Sequence, residues 1–174
     1  MFIRIFISFL IKLFYDLPLM LLGLVLVAIG LKYEKDNHLP KILWLWDNAQ
    51  YGCNGGNFWL KENGENTSFL AKYQWLALRN PTYNSSQFVL GYISSGIYTI
   101  EGNPNVTRSG VAGYYWAREG WHWEYHLIKP FTVLGLSLCF KFRAGWKLAN
   151  KVAGERVSFV FTVWIYKFNK VNHG

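Results

Sequence analysis

Acid is scarce in this chain of 174 residues. Ten Asp and Glu stand against 18 Lys and Arg, for a net charge of +8. With so few carboxylates, no acid–base pair stands out. Asp47 with Glu124 would have the residue types for glycoside chemistry, and nothing marks that pair as special. Cysteine is scarcer still. Cys53 and Cys139 lie far apart, which excludes a disulfide framework and zinc-finger spacing. They read as two small buried thiols; a single disulfide is the alternative outside the cytoplasm. No P-loop, G-x-G-x-x-G, G-x-S-x-G or H-E-x-x-H pattern occurs, which removes the common nucleotide, hydrolase and metalloprotease templates. The cations are scattered, with no run of five, so direct nucleic-acid binding is not expected. No long repeat or low-complexity tract is visible.

Apolar side chains are what the sequence has in excess. Hydrophobic residues make up 52% and aromatics 19%, with 9 Trp, 11 Tyr and 13 Phe. That excludes a disordered chain. It suits a small core built from large residues, or a surface at a membrane boundary.

Residues 2–31 concentrate this character. Arg4, Lys12 and Asp16 are their only charges, and Leu17 to Leu31 carries none. Fifteen helical residues span only about 22 Å, short of the roughly 30 Å hydrocarbon layer. Extension back to Leu13, with Lys12 snorkelling, makes up length. Pro18 can kink a helix in a bilayer without ending it. Two geometries follow: one kinked span, or an interfacial amphipathic helix and then a short span. A cleaved signal peptide is the rival, but no small-x-small site follows the segment. A core helix buried in protein is the third reading. Arg4 and Lys12 before the span, against Lys32, Lys35 and Lys41 after it, lean slightly towards a cytoplasmic C-terminal domain. The expected organisation is an apolar helix or membrane anchor at 1–31, a linker at 32–38 and a domain at 39–174.

Residues 39–81 form the joint of the chain. Leu43-Trp44-Leu45-Trp46 is either core or a tryptophan belt at headgroup level. Asp47-Asn48 and Gly52, Asn54, Gly55 and Gly56 have loop chemistry. They lack the alternating acids of a calcium loop. Glu62 to Thr67 reads as a polar turn, and Thr67 or Ser68 as the cap of a helix over Phe69 to Leu78. Phe69, Tyr73 and Leu76, with Leu70 and Ala77, mark its apolar side. Asn80-Pro81 should stop it. Arg79 either complements the helix dipole or pairs with an acid such as Asp47.

Three ordered motifs carry a resemblance. Leu-Pro-Lys with Leu43-Trp44-Leu45-Trp46-Asp47-Asn48 comes first, then Trp75-Leu-Ala-Leu-Arg79-Asn80-Pro81-Thr82-Tyr83, then Arg143-Ala-Gly-Trp146-Lys-Leu148. Over residues 39–148 the chain resembles an uncharacterised family of tailed-bacteriophage proteins. Members share an apolar N-terminus, a Trp-rich Asp-Asn segment, an Arg-Asn-Pro-x-Tyr signature and a Gly-Trp-Lys strand. Ala49-Gln50-Tyr51 replaces the usual acidic or proline-containing loop. The resemblance implies a phage origin and no particular activity.

From Gln87 onward the signals are β. Phe88 to Ile93 and Ile97 to Ile100 read as strands about a Ser94-Ser95-Gly96 turn. Val111 to Arg118 and Trp121 to Ile128 flank a hairpin turn at Glu119-Gly120. Pro130 is expected to end that unit. Val133 to Leu148 reads as one long strand broken at Gly135 and Gly145. Arg156 to Phe168 alternates. The expected fold is α+β, with an N-terminal apolar helix, an antiparallel sheet of four to six strands and one or two further helices.

His122, Glu124 and His126 share a strand face and have the donor types for Zn²⁺ or Fe²⁺. Residues i and i+4 of a strand lie about 13 Å apart, too far for one ion without a bulge. A polar or cross-strand-paired face is therefore the plainer account. Sequons at Asn66, Asn84 and Asn105 are incidental in a protein made in bacteria. The partner or interface candidates are Trp44, Trp46, Asp47, Asn48, Arg79, Asn80, Tyr83 and Trp146. No cofactor, small-molecule substrate or catalytic residue is implied. The expected function is a membrane-associated, phage-encoded accessory protein that binds a partner: the membrane or other phage proteins. It would sit in the host inner membrane or in the virion. A virion structural component, and a small metal-dependent hydrolase using His122, Glu124 and His126, are the alternatives.

Overall fold

The computed structural model describes residues 2–56, 60, 64, 68–106 and 110–168. The expected Glu62–Thr67 turn, the Asn66 sequon and a Thr67 cap lie outside them. The chain is α+β, as expected: a long apolar N-terminal helix, short helical segments, a five-stranded antiparallel sheet and a two-stranded one. It packs as two compact units. One is Leu10–Leu90; the other joins Met1–Phe9 to Gly91–Gly174. These do not follow the boundaries 1–31, 32–38 and 39–174, because residues 39–90 pack on the helix at 10–33.

That helix runs from Phe2 to Tyr33, 32 residues. Pro18 does not end it. Pro18 has no N–H to offer the preceding turn, and Lys12–Asp16 just before it widen into a π-helical turn, with the Leu17 N–H bonded to the Lys12 carbonyl. Lys12 pairs with Asp16 one turn on.

In the helical unit the core gathers Val27, Leu31, Leu39, Trp46, Cys53, Trp75, Leu76 and Ala77. Two glycines shape the helix surface that receives it. A Cβ on Gly23 would lie 2.6 Å from Trp46 Cδ1, and one on Gly30 would lie 2.5 Å from Leu43 Cδ1. The indole therefore sits directly on the helix backbone and donates its N–H to the Leu19 carbonyl at 2.7 Å. Lys41–Trp46 is a 3-10 segment, with Trp46 inside and Trp44 half exposed against Phe88, ring centroids 6.4 Å apart. The expected linker is held in place. Lys35 and His38 form a β-bridge, Glu34 accepts from Lys72 at 2.5 Å, and the Cys53 N–H reaches the Asn37 carbonyl at 2.8 Å.

Ser68 caps the helix Phe69–Tyr73 by accepting from the Ala71 N–H at 3.2 Å. The helix then widens to a π-helical Gln74–Arg79. That change of period rotates the buried stripe to Trp75, Leu76 and Ala77 and leaves Phe69 and Leu70 exposed, against the side expected from a regular helix. A second correction follows at Ser85–Val89, which is another π-helical turn and not the start of a strand.

The sheet unit is built on β1 (Tyr92–Ile93), β2 (Thr99–Gly102), β3 (Gly113–Glu119), β4 (His122–Val133), β5 (Leu136–Trp146), β6 (Arg156–Val157) and β7 (Phe159–Lys167). The large sheet has the order β2-β3-β4-β5-β7, and β1 pairs with β6. Glu119 pairs with His122, so the first hairpin turns on Gly120-Trp121, one residue later than expected. Pro130 does not end β4. From Lys129 onward β4 has left β3, whose register stops at Gly113 with Ile128, and among the described strands β5 alone still pairs with it. A strand paired on one side tolerates a residue without an N–H. The stretch expected as one strand over 133–148 is split by a turn at Leu134-Gly135, both at positive φ.

The two faces of the sheet differ. One carries Tyr115, Ala117, Ile128 and Cys139, covered by Val106, Leu148, Val157 and Phe168. The other carries an aromatic file: Trp116 stacks on Trp123 at 5.2 Å, Tyr125 meets Phe142 at 6.0 Å, and Phe142 meets Phe161 at 5.9 Å.

Replacing Gly23 with Val should cost about 1–3 kcal/mol, as overpacked sites do. Urea unfolding, followed by tryptophan emission, measures it. Unchanged stability would mean that the Trp46 contact on the helix is not close.

Candidate functional site

The joint region is a hydrogen-bonded knot centred on two asparagines. Asn84 is buried; its Oδ1 accepts from the Ala49 N–H at 2.8 Å and its Nδ2 donates to the Trp44 carbonyl at 2.7 Å. Asn48, fully buried, accepts from the N–H groups of Gln50 and Tyr51. This is the local turn chemistry that favours Asn at such positions. Asp47 Oδ2 lies 2.8 Å from His38 Nδ1, so its partner is His38 and not Arg79. Arg79 is exposed. Tyr83 donates to Gln50 Oε1 at 2.8 Å. Burial, with Tyr51 nearby, pushes its phenol above the ordinary range.

Thr82 is the strained member, a β-branched residue at φ 56°. Its hydroxyl lies 2.5 Å from Asp16 Oδ1 and 2.6 Å from the Pro81 carbonyl. One proton serves one acceptor at a time. Tyr15 adds a contact to Ser85 at 3.0 Å. The Arg-Asn-Pro-x-Tyr signature thus turns the chain so that Thr82, Asn84 and Ser85 face polar groups of the helix and the Asp47-Asn48 loop. Asp47 Oδ1, Asn48 Nδ2 and Asn80 Nδ2 are buried without protein partners. Cys53 lies in the same unit, and burial, followed by the charges of Glu34 and Asp47, pushes its thiol up to about 12. A thiol held protonated is a poor nucleophile.

His122, Glu124 and His126 do share one face, but it is the covered one. Glu124 is fully buried, and Arg143 meets its Oε1 at 2.5 Å from the next strand. The N–H groups of Leu148 and Ala149 donate to its Oε2 at 2.8 and 3.1 Å. Both carboxylate oxygens are engaged. Gly145 stands opposite Glu124 at φ 101°, and a Cβ there would come within 2.0 Å of the Trp123 carbonyl. The Arg-Ala-Gly-Trp-Lys-Leu motif is therefore the receptor for one buried carboxylate. His122 stacks on Tyr92 at 3.5 Å and meets the edge of Trp146 at 4.9 Å. His126 packs edge-on against Tyr115. Burial first, then the charges of Arg143 and Lys141, pull its imidazole down to about 3. Among the described residues no group of three or more His, Cys, Asp or Glu is placed to hold a metal ion.

Glu119 makes a second carboxylate knot that sequence reasoning missed. Its oxygens accept from Tyr92 at 2.6 Å, from the Ser94 hydroxyl at 2.9 Å and from both the N–H and hydroxyl of Ser95. Burial raises its pKa, and the hydrogen bonds from Ser95, Tyr92 and Ser94 outweigh that and hold it below the ordinary value. Ser94-Ser95-Gly96 looked only like turn chemistry; nothing local paired it with an acid some 24 residues away.

The matched family model covers residues 1–170, nearly the whole chain. The chain belongs to DUF7338, a family of unknown function. Among curated proteins and among solved structures, nothing matches it. Membership therefore names a lineage and assigns no chemistry to the two knots.

Two measurements test these readings. Arg143→Leu leaves Glu124 buried without its cation and should cost about 3–5 kcal/mol, read by urea unfolding. His126 is neutral when folded down to about pH 3, whereas the unfolded imidazole takes up a proton below 6.5. The unfolded state then binds more protons, so stability falls as pH drops from 6.5 towards 3. Denaturation midpoints of His126→Gln should be flatter than those of the parent between pH 7 and 5.

Proposed function

We propose that this protein is a membrane-associated accessory protein, encoded by a tailed bacteriophage, that acts by binding a partner and not by catalysis. The observation that carries the reading is the helix Phe2–Tyr33. Thirty-two residues make about 48 Å of helix, more than a hydrocarbon layer requires. A core helix would pass the same test of length and composition, but it would be covered. Here only 17% of the most apolar stretch is buried, and Phe2, Ile3, Phe14 and Val25 are largely exposed. Leaving such side chains in water forgoes roughly 1.5–3 kcal/mol for each one.

The three motifs support the phage origin. The location that fits is the host inner membrane. The partner surface we favour is on the helical unit, where Trp44 and Phe88 meet edge to face at the surface, beside Ile42, which is 86% exposed. Exposed aromatics in contact are the usual anchors of a protein interface.

The same bare flank supports a second reading, a virion component whose helix is covered by other subunits. Mass spectrometry of purified particles separates the two: stoichiometric copies favour the virion, and their absence favours the membrane. Fractionation of cells making the full chain tests the anchor. Recovery in the membrane pellet, released by detergent and not by salt or alkaline carbonate, is expected. Full-length protein in the soluble fraction would overturn the anchor.

A further inference from the structure

The sheet unit exposes apolar residues where a protein in water gains nothing from them. The turn between β4 and β5 places Leu134 at φ 50° and Gly135 at φ 75°, two left-handed residues in succession. Asn, Asp or Gly fills the first position at little cost. A Leu there is strained, and this one is 96% exposed. Val133 and Leu136, paired across the same turn, are about half exposed. Neither folding nor solubility accounts for a bare leucine held in an unfavourable backbone conformation.

The sheet's edge repeats the pattern. β7 is an outer strand, and edge strands in water are normally blunted by charge or proline. This one carries Val163, Trp164 and Ile165 in succession, all largely exposed and alternating to both faces. With Phe140 they line a shallow apolar groove of about 430 Å³. Phe161, two residues before Val163 on the same face, is met by Phe9 of the N-terminal helix, ring centroids 6.1 Å apart. The exposed Phe2, Ile3 and Phe6 thus extend the apolar surface from the strand onto the helix.

Charge identifies the occupant. From Tyr125 to the C-terminus Glu155 is the sole acid, against eight Lys and Arg, of which Arg143 is spent on the buried Glu124. Lys129 and Lys167 are exposed on the strands that carry the patch. An apolar patch with a one-signed cationic surround is complementary to a bilayer with anionic headgroups. It is poorly suited to a protein partner, whose rim would need acids to match.

We propose that the β4–β5 turn and the edge strand β7 form a second membrane contact, seated at the headgroup–acyl boundary of an anionic bilayer. Depth is set by the backbone. Among the described strands β7 pairs with β5 alone, and the backbone groups of an outer edge cannot enter hydrocarbon. The strand therefore lies at the interface while Leu134 and its neighbours dip below it. This inference rests on the membrane-anchor reading above and extends it from the helix to the sheet.

The test uses the full chain in vesicles of phosphatidylcholine and phosphatidylglycerol containing a doxyl-labelled lipid. Cys53 and Cys139 are fully buried, so a maleimide fluorophore reports an introduced surface cysteine. Three variants are compared: Leu134→Cys at the turn, Val25→Cys on the exposed flank of the helix, and Trp121→Cys. Trp121 is exposed at the other end of the 12-residue β4, about 40 Å from Leu134. The Leu134 and Val25 probes should be quenched strongly and the Trp121 probe several-fold less. Quenching at Leu134 should fall several-fold when phosphatidylcholine replaces all the anionic lipid. A quenched Val25 with an unquenched Leu134 overturns the second contact and leaves the anchor standing. An unquenched Val25 overturns the anchor, and a Leu134 probe still quenched then keeps the contact on its own evidence. Equal quenching at Trp121 and Leu134, or indifference to the anionic lipid, overturns the contact as drawn.

Discussion

A helix that cannot cover its own side chains is the constraint on which the rest of this structure depends. Its flank of Phe, Ile, Leu and Val calls for an apolar surrounding, and residues 39–90 supply it along one stripe only. That stripe is made by omission. Gly23 and Gly30 remove the side chains that would hold the 3-10 segment away, and Trp46 fills the space. An indole N–H taken out of water needs an acceptor, and the Leu19 carbonyl is within reach because no Cβ intervenes. The remaining flank stays bare, which is why the functional reading turns towards a bilayer.

Polar groups in the helical unit solve a different problem. A loop that doubles back against an apolar helix has backbone groups to satisfy away from water. Asn48 accepts from two backbone N–H groups and Asn84 both donates and accepts, and neutral amides bring no charge to bury. Asp47 needs a counterpart and takes His38. Thr82 accepts a left-handed backbone, and its hydroxyl reaches Asp16 of the helix while the Asn84 amide reaches Ala49 and Trp44. The motif that looked like a binding signature is therefore spent, in large part, on holding its own turn.

The sheet unit distributes polarity in the opposite sense to a simple soluble sheet. Its charged pair, Glu124 with Arg143, lies on the covered face, and its aromatic file, with Trp123 buried and the rest half-buried, lies on the other. Buried ion pairs contribute little net stability, and losing either partner is costly. Such a pair selects one register of β4 against β5, since a slip by one residue would put the two charges on opposite faces of the sheet. Glu119 acts likewise on the segment at 92–97, with hydrogen bonds in place of a cation.

How much of this was legible follows from range. The apolar helix, the α+β class and the stop at Asn80-Pro81 are written in periodicity and in residues whose backbone limits are intrinsic, and they could be read directly. At Leu134-Gly135 the break was legible from the glycine, but the tight turn was not, because Leu is a poor choice at a positive φ. Pro130 misled because a proline breaks a strand only where a neighbour needs its N–H, and which neighbours a strand has is a matter of sheet order. The π-helical stretches hid the buried side of residues 69–79 for the same kind of reason. By itself the amino-acid sequence determined that the first thirty residues are helical and apolar, that strands follow, and that cations outnumber acids. Tertiary structure alone decided that Glu124 belongs to Arg143, Glu119 to three hydroxyls, and Trp46 to a glycine. Those pairings join residues about 20 or more positions apart, and a contact at that distance exists only once packing has brought its two ends together.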